Sequence, residues 1–93
     1  MKQLITEELN ELTKIILFLE DKKKFMIEDK HALQAKIDQA LDEYNQGSGD
    51  VALLTHLTKI CTEGIKLTDF YIEEANKGLA EAYQVLERLK SFS

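Results

Sequence analysis

Proline is absent from all 93 residues, where average usage of about 5% would supply roughly four or five. Proline removes a backbone donor and clashes with the preceding turn, so a chain without it is free to build very long helices. The one cysteine, Cys61, excludes an intramolecular disulfide and leaves no cysteine cluster for zinc. No stretch approaches the roughly 20 apolar residues that span a bilayer. Glu7, Glu8 and Glu11 interrupt any early apolar run, so no signal-peptide core follows Met1-Lys2-Gln3. The expectation is a cytoplasmic protein, or one exported without a cleavable signal. A basic excess is lacking too: 12 bases against 17 acids leave a formal net charge of −5. That speaks against nucleic acid as a partner, which requires a basic face, and the interleaved signs make a poor mimic of a phosphate array.

What is present is periodicity. Hydrophobic content of 44% and charged content of 31% describe an ordinary folded chain, and the length allows one small domain over 1–93. Gly47-Ser48-Gly49-Asp50 sits at mid-chain and divides two helical patterns. In the first arm, steps of four and three alternate without a slip through Ile5, Leu9, Leu12, Ile16, Leu19, Lys23, Met26, Lys30, Leu33, Ile37, Ala40 and Tyr44. Only the two lysines are polar, and a heptad held so long predicts a packed helix. Thr6, followed by Glu7 and Glu8, suits its N-terminus. The second arm starts from Asp50, a good N-cap, with a seam of Leu54, Leu57, Cys61, Ile65, Thr68, Ile72, Ala75, Leu79, Ala82, Leu86 and Leu89. Two consecutive four-residue steps, Leu57 to Cys61 to Ile65, form a stutter that should unwind the supercoil locally. Gly64 lies inside it and Asn76-Lys77-Gly78 resembles a helix C-cap, so a break is open at either glycine.

The fold class expected is all-α: an elongated antiparallel two-helix hairpin, helices about 5–46 and 50–91, with Gly47 and Gly49 in the turn. Folding about the turn pairs residues whose numbers sum to about 97. Phe25-Met26-Ile27 then faces Phe70-Tyr71-Ile72 as an aromatic cluster, and Lys23 meets Glu73 and Glu74. Ile15-Ile16-Leu17-Phe18-Leu19 comes opposite Gly78, Leu79, Ala80 and Ala82, small residues that permit close approach. That apolar run wraps its whole helix, and Leu53, Ile60 and Leu67 repeat every seven residues beside the second seam. One partner helix covers only one side, so Ile15, Ile16, Phe18, Leu53, Ile60 and Leu67 are the candidate partner-binding residues. Another chain, either a second copy or a different helical protein, would complete a bundle.

Chemistry-bearing patterns are sparse. Glu28-x-x-His31 has the spacing of two metal ligands on one helical face, but His56 has Leu53 three residues before it and supplies no second pair. A solvated polar face is the simpler reading, with a metal-binding four-helix bundle as the alternative of another class. His56 and Cys61, five apart, fall on different faces, which disfavours a nucleophile pair. Lys22-Lys23-Lys24 is flanked by Glu20, Asp21, Glu28 and Asp29 and reads as a solvated face. The glycines of the turn lack the Gly-Lys-Ser/Thr ending of a phosphate loop. No catalytic residue, metal or cofactor is called for, and a non-enzymatic interaction protein is expected. Tyr83-x-x-x-Glu87 is a weak pattern by itself, and a ring resting on the seam is the simpler reading.

Together these features resemble the WXG-type small proteins of type VII secretion and their relatives. Those are chains of this size, built as helical hairpins that pair with themselves or with another protein. They have a mid-chain glycine turn and a C-terminal Tyr-x-x-x-Asp/Glu export element. The likeness covers the full length and is architectural. The family's Trp-x-Gly falls on Asn45-Gln46-Gly47, where Gly47 matches and the tryptophan is missing. That departure points toward the small helical partners of LXG toxins. The resemblance implies a secretion partner or targeting factor, with Tyr83 and Glu87 as its export element. The rival expectation is an intracellular chaperone or regulator that covers a partner's apolar helical face.

Overall fold

The computed structural model describes residues 2–47 and 49–92, with side chains from residue 5 onward. Ser48 of the turn lies outside the described residues. Two helices, α1 (Lys2–Asn45) and α2 (Val51–Ser91), fold back on each other into a rod of 69 × 14 × 13 Å. The chain is an all-α helical hairpin.

The turn is built by its glycines and by Asp50. Gly47 has φ +79°, the left-handed conformation that stops α1, and its N–H donates to Tyr44 O at 3.0 Å. A Cβ on Gly49 would lie 3.0 Å from the Tyr44 Cα, so only glycine lets the chain double back so tightly. Asp50 then caps α2: its Oδ1 accepts from the N–H groups of Ala52 at 2.7 Å and Leu53 at 3.3 Å, satisfying donors that the helix leaves open. At the far end Arg88 and Lys90 stand in the last turn of α2, where a positive charge complements the helix dipole.

The start of α1 differs from expectation. The helix already runs at Lys2 and passes through Thr6, so Thr6 is not its cap. Lys2, Gln3 and Leu4 are good helix formers with no breaker among them, and nothing obliges the helix to wait for a hydroxyl.

The seam is where the sequence places it. Leu12, Ile16, Ile37, Cys61, Leu79 and Ala82 are buried, and the other seam positions of both helices are half-buried, apart from the buried Thr68 and the exposed Tyr44. Leu12, Ile16, Leu79 and Ala82 form one core cluster, extended by Leu19, Leu86 and Leu89. Thr68 is buried but satisfied, its hydroxyl donating to Ile65 O at 2.8 Å.

Helix α2 runs without a break through Gly64 and Gly78. Both glycines instead serve the contact between helices. A Cβ on Gly64 would meet Leu33 Cδ1 at 3.0 Å, and one on Gly78 would meet Leu19 Cδ1 at 3.3 Å. Each pair sums to 97, which fixes the register. The stutter also dissolves. Thr58 is half-buried beside Leu57, so Leu54, Thr58, Cys61 and Ile65 keep the alternation of four and three. Following apolar residues alone selects Leu57 and creates the apparent slip.

Candidate interaction surface

Because the heptad phase holds from end to end, the columns flanking the seam stay on one side of the rod, and the two broad faces are chemically different. An open groove on one face is lined by Asp29, Ala32 and Lys36 of α1 and by Gly64, Leu67 and Tyr71 of α2. Residues seven apart share its side. On α1 these include Ile15 and Lys22 in line with Asp29, and Phe18 and Phe25 in line with Ala32. On α2 they are Leu53 and Ile60 in line with Leu67, and Leu57, Gly78 and Val85 in line with Tyr71. Glu43, Leu53 and Leu57 line the continuation of the same face beside the turn.

This face is charged along one column of α1 and otherwise carries large exposed apolar side chains. Leu53 is 69% exposed, Ile60 68%, Phe18 60% and Leu67 57%. Ile15 and Phe25 are also more than half exposed. Lys22 reaches over the Phe18 ring at 5.5 Å, a contact that leaves the ring's other side open. Ile16 is the exception among the expected partner-binding residues. It is 7% exposed and belongs to the core of the hairpin. A fully wrapped helix must give one residue of each turn to its own partner, and Ile16 is that residue here.

The opposite face is more polar and carries ties across the seam. Tyr83 Oη donates to Glu20 Oε1 at 2.6 Å, in a groove shared with Lys23, Lys24, Ile27, Glu28 and Asn76. The carboxylate raises the Tyr83 phenol above 10.0, chiefly by accepting its hydrogen bond, with desolvation and the Glu20 charge adding. Lys30 Nζ meets Asp69 Oδ1 at 2.7 Å. The cross-helix ion pair thus forms at Lys30, while Glu74, expected opposite Lys23, bridges Lys77 of its own helix at 3.3 Å. Lys23 itself is half-buried at the groove.

The aromatic cluster is smaller than expected. Phe70 and Tyr71 meet edge to face with centroids 5.6 Å apart, while Phe25 stands on the surface of α1. Tyr83 and Glu87 lie one turn apart within α2, both exposed. Glu28, His31 and His56 are exposed and Cys61 is buried in the seam. Among the described residues there is no group of three or more His, Cys, Asp or Glu that could hold a metal ion. No helix among them is long and apolar enough to cross a membrane. The face members that periodicity alone did not single out are Leu57, Tyr71 and Val85. Their spacing of seven and fourteen, with Gly64 and Gly78 between, was the available signal. Comparison with protein-family models, characterised proteins and solved structures finds no match.

Proposed function

We propose that this chain is a non-enzymatic helical interaction protein whose apolar face is covered by the helices of another chain. The observation that carries the reading is the concentration of exposed apolar residues on one face. Leu53, Ile60 and Leu67 on α2, with Ile15 and Phe18 on α1, share a face and are each more than half exposed. Large apolar side chains gathered on one side of a small protein mark a place where something binds. The rigid, regular hairpin supplies the parallel ridges that another helix packs against.

The resemblance to the hairpin proteins of type VII secretion makes a secretion partner or targeting factor the favoured form of this reading. Its partner would be a toxin's helical domain or a sister hairpin, and Tyr83 and Glu87 would form the export element. Glu87→Ala is the clean test, because Glu87 lies outside the seam. Pairing and helicity should persist while export stops, and unchanged export would remove this version.

One observation favours the rival, an intracellular chaperone or regulator. Tyr83 is engaged by Glu20 inside the hairpin rather than presented on a free tail. On that reading the chain stays in the cell fraction while the stability or export of its partner depends on it.

A further inference from the structure

We infer that the occupant of the apolar face is a second copy of this chain, laid on antiparallel, with the two-fold axis passing through the level of Met26 and Tyr71. The inference rests on the interaction reading above and names the partner.

Four observations carry it. First, the face is long enough. A side 69 Å by 14 Å presents roughly 1,000 Å² in projection, against about 800 Å² per partner in a standard stable interface.

Second, the columns that point squarely off the face differ in kind. On α2 the column is uncharged: Leu57, Gly64, Tyr71, Gly78, Val85. On α1 it is mostly charged: Glu8, Ile15, Lys22, Asp29, Lys36, Glu43. Turns at opposite ends set α1 on α1 and α2 on α2, so like columns meet. Turns at the same end would set the charges of α1 against the uncharged column of α2 and desolvate them without partners, which is costly.

Third, the α2 column is near-palindromic about the middle of the rod. On α2, rotation about Tyr71 brings Leu57 to Val85 and Gly64 to Gly78, so bulk meets bulk and flat meets flat. Tyr71 is also the midpoint of α2. The register of 97 puts Met26 of α1 at the same level.

Fourth, the charges nearest the axis are self-complementary. The same rotation brings Lys22 to Asp29 of the second copy, and symmetry makes that pair twice. Within one hairpin, neither Lys22 nor Asp29 appears in the ion pairs among the described residues. Ile15 then meets the aliphatic stem of Lys36. The same rotation brings Glu8 against Glu43 of the second copy, a like-charge contact near each end of the rod, where water screens it.

The experiment is a charge swap read by equilibrium ultracentrifugation of the full chain. Wild type should be a dimer. Lys22→Asp, and separately Asp29→Lys, should each weaken self-association on the order of tenfold, because each creates two like-charge contacts. The double variant should recover to near wild type. Mild oxidation of Tyr71→Cys should yield covalent dimers, while Thr62→Cys, on the opposite face, should yield few.

A wild type that remains monomeric up to about 100 µM, a range in which any specific dimer of this size should form, overturns the inference. So does a double variant as weak as the singles, or cross-linking of Thr62→Cys as fast as Tyr71→Cys. The interaction reading itself fails on a different result. A Leu53→Ser, Ile60→Ser, Leu67→Ser variant that binds a helical neighbour or its own copy as tightly as wild type would remove the face from consideration.

Discussion

Leu33 lies so close over Gly64 that a single added methyl would come within 3.0 Å of its Cδ1. The equivalent contact one third of the rod away, Leu19 on Gly78, is looser at 3.3 Å. Two effects compete at each glycine. Alanine in place of glycine inside a helix favours folding by about 1 kcal/mol, and crowding of the facing leucine opposes it. Leu19 has to yield only slightly, so Gly78→Ala is expected to raise the melting temperature by a few degrees. Gly64→Ala should be close to neutral, since Leu33 must shift further. Thermal melts followed by circular dichroism at one protein concentration check the order. A larger gain at Gly64 than at Gly78 would contradict the packing described.

Asp50 closes the turn by accepting from two backbone donors of α2. Asp50→Ala removes both hydrogen bonds and should cost about 1 kcal/mol. Asp50→Asn and Asp50→Ser should recover most of it, since either side chain caps as well. Urea denaturation gives the comparison, with a shifted midpoint and an unchanged slope as the expected signature.

The tie between Tyr83 and Glu20 has a pH signature. The folded chain holds the phenolic proton to higher pH than an ordinary tyrosine, whose value is 10.0. The stability contributed by this contact is therefore fully present below the unfolded value and is lost as pH rises through the raised folded one. Glu20→Gln removes the charge and weakens the acceptor. In an ultraviolet titration it should move the Tyr83 transition down toward the ordinary value, and Tyr83→Phe should delete that transition. A Tyr83 transition indifferent to Glu20→Gln would contradict the contact.

Ile16 and Ile60 should behave oppositely. Ile16 is in the core of the hairpin and Ile60 is 68% exposed. Ile16→Ala is expected to destabilise the fold by about 2–3 kcal/mol, toward the low end for core isoleucine because the cluster is open to one side. Ile60→Ser should leave the helical content intact and reduce association. Denaturation and solution mass together separate the two effects.

The sequence shows most of this fold because the fold is nearly one-dimensional. Once the heptad phase and the turn are located, register follows by counting, and Leu33 on Gly64 confirms the sum of 97. The departures come where local pattern meets three-dimensional choice. Thr58 shares its level of the seam with Leu57, and a count of apolar residues alone passes over a half-buried threonine. Gly64 and Gly78 look like breaks in isolation because their neighbour, a leucine of the other helix, is distant in sequence. Ile16 looks available to a partner because a fully apolar run does not state which of its members faces inward. The apolar face became legible only when the grooves showed which columns of α1 and α2 share a side. Leu53 and Phe18 are 35 positions apart, and no local period connects them.

The claim that the hairpin is completed along its length by a second copy is tested most directly by small-angle X-ray scattering with the mass determined on the same sample. The expected particle has twice 10.7 kDa, with a longest dimension that remains near the 69 Å of one hairpin. A particle of 10.7 kDa, or a dimer of nearly doubled length, would contradict it.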